Sequence, residues 1–155
     1  MTGYLDDPDI TRTVMSSAGW YTTGDLGLMT EDGSSLEIKG RTKYIISKGG
    51  IKVYPQVIED MLLMYGKISQ VCVIGVPDAK LFNEICACII PKPNEHLSES
   101  ELFEYCKQKA LGNMSLMIPK FNYFTDTFPL NCNGKTDKKR LIQLTTEYFH
   151  LKNHE

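Results

Sequence analysis

Ile68-Ser69-Gln70-Val71-Cys72-Val73-Ile74-Gly75-Val76 and Glu84-Ile85-Cys86-Ala87-Cys88-Ile89-Ile90 are two nearly unbroken apolar runs. Each is closed by a turn signal, Pro77-Asp78 after the first and Pro91-Lys92-Pro93 after the second. Runs of this length, without alternation, predict neighbouring strands buried on both faces. Just upstream, Pro55 suits the first position of a helix, and Ile58, Met61, Leu62 and Tyr65 recur at helical spacing up to Gly66; this predicts an amphipathic helix. Downstream, Ser98 with Glu101 forms a capping box, and Leu102, Phe103, Cys106 and Ala110 give the next helix an apolar face that covers one side of the sheet. Phe121–Phe124 reads as a further strand, and Leu141, Leu144 and Tyr148 mark a last helix.

Further out the signals are shorter. Leu36–Lys39, Tyr44–Ile46 and Ile51–Val53 are strand candidates separated by Gly40 and by Gly49-Gly50, a pattern that predicts a meander or hairpin. Residues 1–35 are rich in Asp, Thr, Ser and Gly and read as loops and short strands, too short and too polar to hold a core. The expected fold class is α+β, a short β-hairpin and a three-stranded sheet flanked by helices.

The chain has 155 residues, 42% hydrophobic and 23% charged, the balance of one ordinary globular domain. A formal net charge of −2 lacks the basic excess that would point to nucleic acid. No apolar run approaches the length of a transmembrane segment. Five cysteines, three of them in apolar runs, and three scattered histidines favour reduced core thiols and no metal site. The expected location is intracellular, cytoplasmic or mitochondrial.

Each short motif, taken alone, reads as local structure. Asn133-Gly134 is a turn, and Tyr21-Thr22-Thr23-Gly24-Asp25 fits an Asx-type turn. Lys135, Lys138, Lys139 and Arg140 read as a solvated face. The ordered set says more. Gly19-Trp20-Tyr21-Thr22-Thr23-Gly24-Asp25-Leu26-Gly27, Gly40-Arg41-Thr42-Lys43-Tyr44-Ile45-Ile46, Gly49-Gly50-Ile51-Lys52-Val53-Tyr54-Pro55 with Glu59, Val73-Ile74-Gly75-Val76-Pro77-Asp78 with Asn83-Glu84, and Phe128-Pro129-Leu130 with Asn133-Gly134-Lys135 together resemble the C-terminal part of the adenylate-forming enzymes. That superfamily includes acyl-CoA synthetases, luciferase and nonribosomal peptide adenylation domains, and the chain is most similar to the first. It departs from the pattern at Val57, where a carboxylate is usual, at Asn83, where the resemblance places a glycine, and at Lys48, where a small polar residue is usual.

The resemblance implies residues 1–41 as the end of a large N-terminal domain and 42–150 as the C-terminal lid of an acid-thiol ligase. It implies Lys135 as the catalytic cation, because adenylation brings a carboxylate against the α-phosphate of ATP and two anions must meet. It implies Asp25 and Arg41 as nucleotide-binding residues, Lys43 as the hinge, and Lys48, Gly49 and Gly50 as the loop facing the pantetheine of CoA. The implied partners are a carboxylic acid, ATP or AMP, CoA, and Mg2+ carried with ATP and bound mainly by the N-terminal domain. As an isolated chain the lid is expected to be inactive. Two alternatives stand beside this: a non-catalytic interaction module derived from the lid, and the lid of an adenylation domain that loads a carrier protein.

Overall fold

The computed structural model describes residues 1–110 and 116–152. The chain divides into two units, Met1–Lys43 and Tyr44–Glu155.

The first unit opens with α1 (Pro8–Val14), a helix where the sequence predicts only loops and strands. Its signal is local: Asp7 caps the first turn by accepting the Ile10 N–H at 2.9 Å, and Pro8 takes the position where a missing N–H costs nothing. Strands β1 (Asp25–Met29) and β2 (Leu36–Arg41) pair antiparallel, with a bulge between Leu26 and Gly27. The connecting turn is tied by Asp32, whose carboxyl accepts from Thr30, from the Ser34 hydroxyl and from the Ser34 N–H; these bonds hold it at about 2. No residue of Met1–Lys43 is buried.

The second unit is built on β5 (Ile68–Asp78) and β6 (Phe82–Pro91), antiparallel and in register from Gln70↔Ile90 to Asp78↔Phe82. Strand β7 (Phe121–Phe124) runs parallel to β6 along Cys86–Ile89. A hairpin of β3 (Ile46–Lys48) and β4 (Ile51–Val53) joins β6 at its start through Lys48↔Phe82. Alternation then sorts the side chains. Val73, Ile85, Ala87 and Ile89 pack with Ile58, Met61 and Leu62 of α2 (Pro55–Leu63) and with Leu102 and Cys106 of α3 (Glu99–Lys109). Cys72, Ile74, Val76, Cys86 and Cys88 pack with Leu141 of α4 (Lys138–Lys152). Helices therefore cover both faces of the sheet, which is why the two runs carry almost no polar residue. No described helix is long and apolar enough to cross a membrane.

One sequence expectation shifts. The strand expected at 44–46 lies two residues later, and Thr42–Tyr44 is a 3-10 turn. The cause is the Gly49-Gly50 pair. Both glycines have positive φ, 54° and 85°, and a two-residue turn of that kind forces Lys48 opposite Ile51 and fixes the strands around it. The left-handed residue at the start of β6 is Phe82, at φ 71°, whereas Asn83 donates its side-chain amide to the Ser47 carbonyl at 3.2 Å. The turn holding Phe82 is closed by Asp78, whose Oδ1 accepts the Lys80 and Leu81 N–H groups at 2.9 Å each.

A left-handed conformation costs an L-residue about 1–2 kcal/mol, partly offset by the larger entropy glycine loses on folding. Phe82 is 83% exposed, so little burial is lost on its removal. Phe82→Gly is expected to raise the urea midpoint, a gain of about 0.5–1 kcal/mol; a lowered midpoint would show that the ring makes a stabilising contact. A second expectation concerns acid. The Ser98 N–H, the Lys67 ammonium at 3.0 Å and the Ser98 hydroxyl hold the Glu101 carboxyl at about 2, against an ordinary 4.5. A depressed folded value stabilises above the unfolded value and fades as pH falls from about 4.5 towards about 2. Glu101→Gln should flatten that part of the stability curve in acid titrations followed by circular dichroism.

Candidate functional site

In the first unit the β-ladder sets Asp25 directly opposite Arg41. The guanidinium Nε lies 3.0 Å from Asp25 Oδ1. Thr23 Oγ1 accepts the Asp25 N–H, and the Thr42 N–H and hydroxyl both donate to the Gly24 carbonyl at 2.9 Å. The two residues expected to hold a nucleotide are thus brought together, a carboxylate suited to accepting two ribose hydroxyls and a cation suited to phosphate. Lys43 sits in the 3-10 turn and is the last residue of the first unit.

In the second unit Lys135 ends a tight loop. Asn131 Oδ1 accepts the N–H groups of Asn133 and Lys135 at 2.9 and 3.1 Å. The Asn131 N–H donates to the Lys135 carbonyl at 2.8 Å, and Gly134 takes φ 73°. The Lys135 backbone is therefore fixed on both sides while its side chain is exposed. Lys138, expected with Lys135, Lys139 and Arg140 on a solvated face, is instead largely buried. Its ammonium reaches Glu59 Oε1 at 3.2 Å and the Val73 carbonyl at 3.4 Å, and lies 5.1 Å from the Tyr44 ring centre.

Lys48, Gly49 and Gly50 form the β3–β4 turn. The Gly49 N–H donates to the Leu81 carbonyl at 2.8 Å, and a Cβ at Gly49 would meet Leu81 Cδ2 at 3.2 Å. At Gly50 a Cβ would meet open space, so glycine is required there by its φ. Lys48 Nζ is 2.5 Å from Glu84 Oε1. Glu84 is buried and also accepts the Ile85 N–H, while Lys120 approaches Glu84 Oε2 at 3.9 Å and Asp78 Oδ2 at 3.7 Å. Among the described residues no cluster of three or more His, Cys, Asp or Glu is suited to a metal ion; this donor set does not fit a magnesium ion held by the chain itself.

Residues 57–135 match the model of the AMP-binding enzyme C-terminal domain. The chain belongs to that family. The Bacillus subtilis protein YngI, named a candidate acyl-CoA synthetase, is 40% identical over 151 residues, 97% of this chain and 27% of its own length. The mitochondrial medium-chain acyl-CoA ligase ACSF2 of Homo sapiens is 35% identical over 151 residues, 97% of this chain and 24% of its own length. The ATP-bound crystal structure of MatB from Rhodopseudomonas palustris superposes with a TM-score of 0.82 at 28% identity, over 95% of this chain and 28% of that one. The chain thus spans about a quarter of the length of the curated relatives it matches, and the α+β fold expected from sequence is the fold of such C-terminal domains.

Sequence reasoning assigns no partner to Glu59 or Glu84, which pair with Lys138 and Lys48. Glu59 had a signal, its place in the helical run beside the apolar stripe, where a carboxylate at the edge of a core needs a partner. Glu84 had one too, a charge opening an otherwise apolar strand. What no local pattern supplies is the partner, since Lys138 lies 79 residues from Glu59.

All five cysteines are free, with Cys72, Cys86, Cys88 and Cys106 buried and Cys132 exposed beside Lys135. Burial pushes the Cys72 thiol up to about 12 and Cys106 to about 11; Cys88 is raised by a thiol hydrogen bond with Cys86 and by burial. Iodoacetamide at neutral pH should label Cys132 alone in the folded chain, read by peptide mass spectrometry. Labelling of Cys88 before unfolding would contradict the packing described.

Proposed function

We propose that this chain is the C-terminal lid, 42–150, with the last strands of the large N-terminal domain, 1–41, of an ATP-dependent acyl-CoA synthetase. The enzyme converts a carboxylic or fatty acid, ATP and CoA to acyl-CoA, AMP and pyrophosphate. In the first step a substrate carboxylate oxygen attacks the α-phosphorus, and the bond to the bridging oxygen breaks as pyrophosphate leaves with the electron pair. In the second the CoA sulfur attacks the acyl carbon, its proton passes to solvent, and AMP leaves with the electron pair of the acyl–oxygen bond. Lys135 stabilises charge in the first step. Asp25 and Arg41 bind the ribose and phosphate, Lys43 is the hinge about which the lid turns, and the Lys48-Gly49-Gly50 turn faces the thiol in the second.

The observation that carries this reading is Lys135: an exposed cation on a backbone fixed by Asn131. A transition-state contact needs that combination, since a fixed base removes reorganisation and a long side chain supplies reach. The family match and the acyl-CoA ligases among the relatives support the choice of substrate class. Magnesium accompanies ATP as part of the substrate, and no residue of this chain is assigned to it.

Two outcomes are expected. The purified 155-residue chain should show neither pyrophosphate exchange with a fatty-acid panel nor tight ATP binding by calorimetry. In the enzyme that carries it, Lys135→Ala should slow adenylation by about two to three powers of ten, while supplied acyl-adenylate is still converted to acyl-CoA at close to the normal rate. Equal slowing of both steps would make Lys135 a folding or docking residue and overturn the assignment.

A further inference from the structure

The two functional loops are anchored by different carboxylates. Lys138, three residues beyond Lys135, carries the start of α4 to Glu59 on α2. Glu59 Oε1 also accepts the Val73 N–H at 2.8 Å, so one carboxylate ties α2, the middle of β5 and the root of the Lys135 loop. The same ammonium lies over Tyr44, the residue that follows Lys43. At the other loop, Lys48 carries the start of the glycine turn to Glu84 at the beginning of β6. The bonds from Gly49 to Leu81 and from Asn83 to Ser47 then bind the two segments side by side.

Both pairs are withdrawn from water. Side-chain exposure is 20% and 13% for Lys138 and Glu59, and 18% and 4% for Lys48 and Glu84. Exposed ion pairs are screened and hold little in place, whereas a shielded pair that loses one member leaves an uncompensated charge, so the surrounding chain must move. Neither carboxylate has the exposure needed to meet a substrate. What each fixes is the backbone on which a functional group rides.

We propose that Glu59 and Glu84 are positioning residues for different chemical steps: Glu59, through Lys138, holds the Lys135 loop for adenylation, and Glu84, through Lys48, holds the glycine turn for thioester formation. This rests on the functional reading above, in which the two loops serve successive steps. A carboxylate that served only to hold the fold together would disturb both loops when removed. Two carboxylates with separate loops give a double dissociation.

The first measurement uses the 155-residue chain. By 15N relaxation, Glu59→Gln should mobilise the Gly134 and Lys135 amides and leave Gly49 and Gly50 unchanged, and Glu84→Gln should do the reverse. The second uses the enzyme that carries the chain. Glu59→Gln should slow adenylation by about tenfold to a hundredfold, the scale of a misplaced group, and keep conversion of supplied acyl-adenylate within about threefold, with Glu84→Gln again the reverse. If Glu59→Gln fails to fold by thermal melting, Lys138→Met takes its place, since Glu59 still accepts the Val73 N–H; if Glu84→Gln fails, Glu84→Asp takes its place, keeping the charge and shortening the reach to Lys48. Variants that loosen both loops alike, slow both steps alike, or change nothing overturn the proposal. The functional reading is checked apart from it: if Lys135→Ala spares adenylation, that reading fails, and if Lys135→Ala behaves as expected while the carboxylate variants do not dissociate, only the positioning proposal fails.

Discussion

The pairing of β5 with β6 is the constraint on which the second unit depends. Ten Cα partners run from Ile68↔Pro91 to Asp78↔Phe82, and both faces of this ladder are dry. A two-stranded ribbon is not stable alone in water; it needs apolar cover. Here α2 and α3 cover one face and α4 the other, so each helix is placed by the side chain that alternation sends its way. Val73 calls for Ile58 and Leu62, and Ile74 for Leu141. With the β6 edge taken by β7 and the β3–β4 hairpin, and Val73 on the β5 edge meeting Glu59 and Lys138, the ladder leaves its turns and flanking loops as the places where polar groups collect.

Those loops are not loose. Asn131 folds the Lys135 loop on itself, Asp78 folds the β5–β6 turn, and positive φ at Gly49 and Gly50 sets the hairpin. The same logic applies at a smaller scale in the first unit, where Asp32 ties the β1–β2 turn and Thr42 closes on Gly24. In each case a short polar side chain satisfies backbone groups that a tight turn would otherwise leave without partners. The exposed Lys135 is thus carried on ordered backbone without being packed itself, a division suited to chemistry that depends on placement.

How much of this the sequence discloses depends on the range of the interaction. The two apolar strands, the Ser98–Glu101 capping box and the Gly49-Gly50 turn are local, and each was legible with its position. The Asp25–Arg41 pair required knowing that β1 faces β2, which short polar strands do not announce; only the resemblance linked the two residues. Helix α1 was missed although Asp7-Pro8 is a good start signal, because seven residues give too few turns for periodicity to show. Lys138 was read as solvated because its partners, Glu59, Val73 and Tyr44, meet it only through the packed sheet.

The turn at Phe82 has a kinetic side. Only residues 79–81 separate β5 from β6, so this hairpin, like the two-residue β3–β4 turn, closes a short loop, whereas β7 must return across α3 to find its place beside β6. Short closures are fast and long ones slow. An unfavourable backbone angle at Phe82 therefore falls in the segment that has to reverse before β5 and β6 can pair. Where that reversal belongs to the folding transition state, the strain at Phe82 slows folding as well as lowering the final stability.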